Sequence, residues 1–138
     1  MDVDDRAVEP GADIRRQLED QARRGDVYAP ECPSRALLDH VTSRWGVLVL
    51  VLLLGRPLRF SELSSTIMGV SDKMLSQTLK QLASDGFVRR TVDEGPPVRV
   101  AYELSDPGRE VARMLAELVE WLEGNVGAVL AARSADAA

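Results

Sequence analysis

Residues 61–86 predict two short helices separated by a three-residue turn, and this pair constrains the fold more than any other feature of the chain. The turn, Met68-Gly69-Val70, contains a glycine, and Ser61 and Ser71 are each placed to cap the helix that follows. The second helix is expected to end at Gly86. A short turn with a glycine sets two helices at the steep angle of a helix-turn-helix.

A β-hairpin is predicted directly after the helix pair. Residues 87–92 have the composition of a strand, and residues 98–104 alternate between apolar and polar side chains from Val98 onwards. Such alternation marks a half-buried strand, and the turn at residues 93–97 joins the two segments. The sequence therefore predicts a winged helix-turn-helix, mainly α with a small β-hairpin wing.

The remaining segments are expected to surround this module. The predicted organisation begins with a disordered acidic arm (residues 1–12) and an N-terminal helix with a linker (13–31). The winged helix-turn-helix domain (32–105), a dimerisation helix (106–130) and a frayed tail (131–138) follow. Pro33 suits the first turn of a helix at residues 34–41, and Ser105 can cap the long helix.

The longest apolar run, residues 47–54, predicts the central core helix, over about residues 42–54. It is far shorter than the roughly 20 residues that a membrane-spanning helix needs. The acidic N-terminus does not resemble a signal peptide, and a single cysteine suits a reducing, cytoplasmic setting.

Charge is distributed unevenly along the chain. The net charge is −5, but residues 33–104 carry +2, whereas residues 1–32 carry −4 and residues 105–138 carry −3. The basic middle segment permits nucleic-acid binding without establishing it, since a scattered solvated charge would give the same values.

The second helix of the pair presents a polar face opposite its leucines. Leu75, Leu79 and Leu82 fall on one side, and long polar or cationic side chains fall on the other. Such a face either is merely solvated or enters the major groove, with hydrogen-bonding groups for bases and cations for phosphates. The N-terminal part of such a helix reaches the bases. The predicted base-proximal residues are Ser71, Lys73, Met74, Gln77 and Thr78, with Lys80 nearer a phosphate.

Arginines around the wing are further candidates for phosphate contacts. They are Arg59, Arg89, Arg90 and Arg99. Neighbouring strand residues face opposite ways, so only one of Arg89 and Arg90 can face DNA, and Arg99 is preferred among the three. The acidic residues 93–94 at the tip would repel phosphate.

The long C-terminal helix has an apolar stripe wider than one small domain would cover. A second copy of the chain would cover the surplus, unless Trp121 packs inside its own chain. The predicted interface residues are Ile14, Leu18, Met114, Leu118, Trp121 and Leu122. A two-fold homodimer would bind a pseudo-palindromic DNA operator.

Cys32 is the one residue with a capacity for reversible chemistry. It precedes the helix that opens at Pro33, where unpaired N–H groups favour a thiolate. The alternative is an inert, buried side chain. Lacking a second cysteine, Cys32 could only cross-link subunits, take up a small thiol or be alkylated.

Several stretches within residues 32–122, about two-thirds of the chain, also occur in the order and spacing of one known family. They are Cys32-Pro33, Ser43-Arg44-Trp45, Arg59 to Leu63, Val70 to Gln77, Leu79 to Leu82, Asp85 to Arg90, Pro96 to Ser105 and Gly108-Arg109. In these the chain resembles the HxlR-type regulators of the MarR-like winged helix-turn-helix superfamily, although that family often has Ser-Pro-Lys where this chain has Ser71-Asp72-Lys73. The resemblance implies a dimer built from terminal helices, regulation of nearby genes and, in some relatives, an oxidant-sensing cysteine near this position.

Other function classes fit the sequence less well. His40 is the only histidine and has no neighbouring nucleophile and carboxylate, so neither a catalytic triad nor a usual zinc site is expected, and no cofactor is assigned. The predicted function is a DNA-binding transcriptional regulator, preferably a repressor and responsive to oxidants or electrophiles through Cys32. A protein–protein interaction module and a regulator that senses a small ligand near Trp45 or Trp121 remain alternatives.

Overall fold

The structure, a computed structural model, describes residues 10–24 and 26–137, which divide into two units between His40 and Val41. Its elements are α1 (Pro10–Arg24), α2 (Pro33–Val41), α3 (Arg44–Leu53), α4 (Phe60–Thr66), α5 (Asp72–Ser84), β1 (Val88–Asp93), β2 (Arg99–Leu104) and α6 (Asp106–Ala137). The predicted winged helix-turn-helix is confirmed, with α4 and α5 as the helix pair and β1 and β2 as the wing.

The first unit contains α1 and most of α2. α1 begins at Pro10, so residues 10–12, which were expected in the acidic arm, form its first turn, while residues 1–9 lie outside the described part of the chain. Between the helices, the Cys32 N–H donates to the carbonyl of Ala29 at 3.0 Å. Pro33 is the first residue of α2, as its sequence position predicted.

The second unit is built around α3. Val49, Leu50 and Leu53 are buried, and leucines of α4, α5 and α6 join them in one hydrophobic cluster. The apolar run is therefore the predicted core helix. Within the described residues no single helix is long and apolar enough to cross a membrane, although α2 and α3 taken together as a broken pair would satisfy length and composition.

α4 begins earlier and ends earlier than the sequence predicted. Its N-cap residue is Arg59 and not Ser61, because the Glu62 carboxylate accepts the Arg59 backbone N–H at 2.9 Å. The helix ends at Thr66 instead of Gly69, and the turn to α5 is completed by Gly69 at a φ of 91°, a left-handed value that favours glycine.

α5 follows the sequence prediction closely. The Ser71 hydroxyl oxygen accepts the Met74 N–H at 3.1 Å, which is the predicted N-cap. The helix ends at Ser84, and Gly86 at a φ of 88° reverses the chain into the wing.

The wing is an antiparallel pair in which Val88 lies opposite Leu104 and Asp93 opposite Arg99. Val98 was expected on the half-buried face, but it is 66% exposed and precedes β2, because pairing stops at Arg99. On its other edge β2 receives a third segment through a single bridge between Leu58 and Tyr102.

The first turn of α6 is connected by hydrogen bonds to the segment that follows α5. The Ser105 hydroxyl accepts the Gly108 N–H at 3.1 Å and donates to the Gly86 carbonyl at 2.6 Å. A Cβ on Gly108 would lie 1.9 Å from the Phe87 carbonyl oxygen, so this approach requires glycine. The helix continues to Ala137, and residues 131–137, which were expected to fray, are helical.

The ionisation of Glu62, at the start of α4, makes the stability of the fold depend on pH. The Arg56 guanidinium donates a hydrogen bond to its carboxylate, and with the Arg59 backbone N–H this lowers the pKa of Glu62 from 4.5 to about 2. A lowered folded-state pKa stabilises the fold above pH 4.5, and that stabilisation is lost as the pH falls towards 2. We expect Glu62→Gln to lower the melting temperature near neutral pH, with a difference from wild type that shrinks below pH 4.5.

Thermal unfolding followed by circular dichroism across that range would test this expectation. Glu117→Gln is the control, because Glu117 is exposed on α6 and forms no ion pair among residues 10–24 and 26–137. A Glu62→Gln difference that stays constant down to pH 2 would contradict the assignment.

Candidate nucleic-acid interface

The direction in which α5 presents its side chains is set by three buried leucines. Leu75, Leu79 and Leu82 are at most 2% exposed and lie in the core. Because successive helix residues are about 100° apart, this burial turns Lys73 and Gln77 outward. Both are exposed, as are Lys80 and Met74, whereas Thr78 is half-buried on the flank.

The N-terminus of α5 is connected to α4 by a side-chain hydrogen bond. The Ser64 hydroxyl donates to the Asp72 carboxylate at 3.2 Å. Asp72 also lies in the first turn of α5, where the helix dipole favours an acidic group. Asp72 therefore joins the exposed surfaces of α4 and α5.

The strand register separates the wing arginines onto two faces. Arg89 lies opposite Glu103 and Arg99 opposite Asp93, on the face away from the buried Val88. Arg89 Nε lies 3.8 Å from Glu103 Oε1. Arg90 lies opposite Tyr102 on the other face, the one that meets α5. Arg89 and Arg90 thus point in opposite directions, as neighbouring strand residues should.

Ion pairs within the chain divide the candidate cations into two groups. Arg59 Nε lies 3.6 Å from Glu62 Oε1, so Arg59, like Arg89, faces a carboxylate of its own chain. Among the described residues no carboxylate forms an ion pair with the other candidate cations, Lys73, Lys80, Arg90 and Arg99.

Two further residues lie beside these cations and were not identified from the sequence. Ser76 and Tyr102 line a small cleft together with Lys80 and Arg90. Ser76 is one helical turn before Lys80, so its spacing could have suggested it. Tyr102 could not be found this way, because its position depends on the strand register.

The tip of the wing is exposed and acidic. Asp93 and Glu94 form no ion pair within the part of the chain that the structure describes. The Asp93 carboxylate instead accepts the Gly95 N–H at 3.2 Å. Neither tip carboxylate is therefore held in an ion pair among the described residues, although Arg99 lies opposite Asp93 in the strand register.

Cys32 is 3% exposed, and its Sγ lies 3.1 Å from the Ser34 hydroxyl oxygen. Its backbone carbonyl accepts the Arg35 N–H at 2.9 Å, so Cys32 occupies the start of α2 as predicted from the sequence. No group of three or more potential metal-ligating side chains occurs within residues 10–24 and 26–137.

The predicted interface side chains of α6 are all exposed to a large extent. Met114 is 63% exposed and Trp121 54%, and Leu118 and Leu122 are similarly exposed. Ile14 of α1 is also exposed, while the side chain of Leu18 lies outside the described part of the structure.

An apolar cavity of about 300 Å³ lies between α3, the end of α4 and α6. Its lining comprises Leu48, Val51, Leu52, Thr66, Ile67, Met68 and Val119. Neither Trp45 nor Trp121, around which a ligand pocket was expected, lines this cavity.

Comparison with known proteins gives a consistent result. Residues 40–129 match the model of the HxlR-like helix-turn-helix family. The uncharacterized HTH-type transcriptional regulator YtfH of Escherichia coli is 46% identical over 121 residues, which cover 88% of this chain and 96% of YtfH.

Solved structures agree with the sequence comparison. The putative transcriptional regulator ytfH of Salmonella typhimurium superposes with a TM-score of 0.74 at 46% identity, covering 80% of this chain and 98% of that one. Diamide-treated YodB of Bacillus subtilis superposes with a TM-score of 0.59 at 31% identity, covering 70% of this chain and 96% of that one. YodB is also known in a reduced form.

Proposed function

The chain belongs to the HxlR-like helix-turn-helix family, and from that premise we propose that it binds a pseudo-palindromic operator as a homodimer and represses transcription. The relatives named above are transcriptional regulators, which implies a DNA-binding role and not an enzymatic one. The observation that carries the proposal is the exposed face of α5, where Lys73, Gln77 and Lys80 point away from the core.

This face has the chemistry that a major groove requires. Gln77 and Lys73 can hydrogen-bond to base edges, while the ammonium group of Lys80 suits a phosphate oxygen. Ser71, Met74 and Thr78 lie in the same N-terminal part of α5 and complete the proposed contact surface. A module that binds only proteins would not need cations left without acidic partners on this face.

The wing is proposed to contact DNA through its arginines and not through its tip. Arg90 and Arg99 lack acidic partners among the described residues, so we place them ahead of Arg59 and Arg89 as phosphate ligands. Because they lie on opposite faces of the hairpin, they would contact phosphates on different sides of the wing. The acidic tip would be repelled by the DNA backbone. Because the proposed partner is chromosomal DNA, we place the protein in the cytoplasm.

Substitutions on α5 and on the wing should separate base contacts from phosphate contacts. Gln77→Ala should change the preference among operator sequences by about 5- to 150-fold at the contacted base pair, since a bidentate base contact is worth about 1–3 kcal/mol. Lys73→Ala should also change that preference, whereas Arg99→Ala on the wing should weaken binding to all sequences alike and lower the slope of log K against log salt by the value for about one phosphate. Gel shifts with the DNA upstream of its own and neighbouring genes, at several salt concentrations, would measure both effects.

Arg113→Ala is the control for lost charge, because Arg113 is exposed on α6. The DNA proposal fails if wild type gives no specific shift, or if Lys73→Ala combined with Gln77→Ala leaves the shift unchanged. In vitro transcription from the bound promoter would test the sign of regulation, since a repressor must lower it.

The homodimer proposal is supported by how little of α6 its own unit covers. At about 1.5 Å per residue, this 32-residue helix is about 48 Å long. Ala112 and Leu115 are buried and Val119 is half-buried, but six later apolar residues remain about half exposed. They are Leu118, Trp121, Leu122, Val126, Val129 and Leu130. An apolar stripe of this length is expected to pack against a second copy.

Introducing charge into this stripe should dissociate the dimer. Burying a side chain such as Leu118 or Trp121 contributes about 1.5–3 kcal/mol, and a two-fold interface contains each residue twice. Leu118→Glu with Trp121→Glu should therefore weaken dimerisation by more than about 100-fold. Sedimentation velocity would measure the loss of dimer, with Gly127→Glu as a matched control, because position 127 lies about 180° around the helix from Leu118 and is exposed. A wild-type monomer, or a double variant that stays dimeric, would refute the interface.

The regulatory signal is proposed to act through Cys32. Its Sγ lies 3.1 Å from the Ser34 hydroxyl oxygen, at the N-terminal end of α2. Burial of the side chain means that modification requires the surrounding segment to open, so the reaction would change the local fold. The relative YodB has been treated with diamide, which oxidises thiols.

Treatment with diamide and glutathione should release wild-type protein from its operator. Diamide accepts two electrons and two protons, while the Cys32 and glutathione thiols lose their hydrogens and form a mixed disulfide. Cys32→Ser should bind the operator equally before and after treatment, and mass spectrometry should find one glutathione adduct on wild type only. Identical responses of the two proteins would exclude a sensing role for Cys32.

A further inference from the structure

A cleft between α5 and the wing brings together four polar side chains from distant parts of the chain. Its volume is about 120 Å³, and it is lined by Ser76, Leu79, Lys80 and Ala83 of α5 and by Arg90 and Tyr102 of the hairpin. We propose that this cleft binds a single backbone phosphate of the DNA and so fixes the register of α5 along the groove. The inference rests on the proposed DNA-binding function and adds a specific ligand group and two residues, Ser76 and Tyr102.

The polar groups of the cleft have no partners of their own. Within the described ranges, Lys80 and Arg90 pair with no carboxylate, and the hydroxyls of Ser76 and Tyr102 make no hydrogen bond. Four side chains that carry donor groups without a protein acceptor therefore line one small space. A phosphate group offers several anionic acceptor oxygens at once, and hydrogen bonds to a charged acceptor are stronger than neutral ones.

The nearby arginines show the opposite arrangement. The Arg89 guanidinium faces the Glu103 carboxylate, and the Arg56 guanidinium donates to Glu62 at 2.9 Å. Arg99 lies on the other face of the hairpin from the cleft. Of the wing arginines, Arg90 is thus the one whose position and lack of a carboxylate partner both suit a phosphate shared with α5.

The cleft is held by rigid elements on both sides. On the α5 side, Leu79 is buried and fixes the rotation of Ser76 and Lys80, which are one turn apart. On the wing side, Tyr102 donates its N–H to Leu58 at 2.8 Å and accepts from the Leu58 N–H at 3.0 Å, while β1 pairs along its other edge. Donors on such fixed backbones lose little entropy when an anion binds.

The position of the cleft relates it to the surface that reads bases. Ser76 lies on the flank of α5, and Lys80 lies at the adjoining edge of the outward face that also carries Lys73 and Gln77. A phosphate held on this flank would lie beside the bases that Gln77 approaches. Phosphate contacts position a protein on DNA without reading its sequence, which is the role inferred for this cleft.

Binding of the full-length protein to a duplex of unselected sequence would test the inference, with fluorescence anisotropy measured between about 50 and 200 mM salt. Because Lys80 and Arg90 share one phosphate, Lys80→Met with Arg90→Met should reduce the slope of log K against log salt by about 0.9, the value for a single phosphate. Arg90→Lys should keep the slope. Tyr102→Phe should weaken binding by about tenfold without changing the slope, since it removes a hydrogen bond and no charge.

Arg113→Met is the matched control, since it removes one exposed cation from α6 and should leave the slope unchanged. Circular dichroism melts would show that the variants fold. If the slope of the double variant fell by the value for about two phosphates, Lys80 and Arg90 would contact separate phosphates. If the slope did not change, neither residue would contact a phosphate. Either result overturns the shared site. If those variants bind like wild type, the cleft fails and DNA binding stands, whereas a wild type that binds no DNA refutes both.

Discussion

The packing of the α5 leucines against α3 is the contact on which the rest of the structure depends. Leu75, Leu79 and Leu82 share one cluster with Val49 and Leu50, and burying such side chains contributes about 1.5–3 kcal/mol each. Their burial leaves α5 a single stable rotation about its axis. The same contact that stabilises the domain therefore decides which polar side chains can reach a nucleic acid.

A second constraint connects the start of α6 to the end of α5. Ser105 joins the two through hydrogen bonds to Gly86 and Gly108, and the missing Cβ of Gly108 lets the helix approach the Phe87 backbone. If two copies pair through α6, this joint carries the geometry of that pairing to both α5 helices. The spacing between half-sites would then be determined by rigid contacts and not by a flexible linker.

Net charge describes this protein poorly, because what matters is which charges are already paired. The chain carries −5 overall, yet several cations on the α5 and wing surface face no acidic partner among the described residues. Arg56, Arg59 and Arg89 each carry the same formal charge as one of these cations, but their guanidinium groups face carboxylates of the same chain. A protein that is acidic overall can therefore have a local surface that suits phosphate binding.

The sequence by itself determined the features that depend on neighbours a few residues apart. Amphipathic spacing identified the helix pair and the α3 core helix, alternation identified the wing, and local capping identified Ser71 and Ser105. The N-cap of α4 at Arg59 was missed although Glu62 is only three residues away, because arginine is not a usual N-cap residue and the bridge that pairs Leu58 with Tyr102 joins distant segments. Only the tertiary structure decided that Arg90 and Tyr102 meet Lys80 in one cleft. Strand register and the docking of the wing on α5 arise from packing between segments far apart in the chain, which local patterns do not encode.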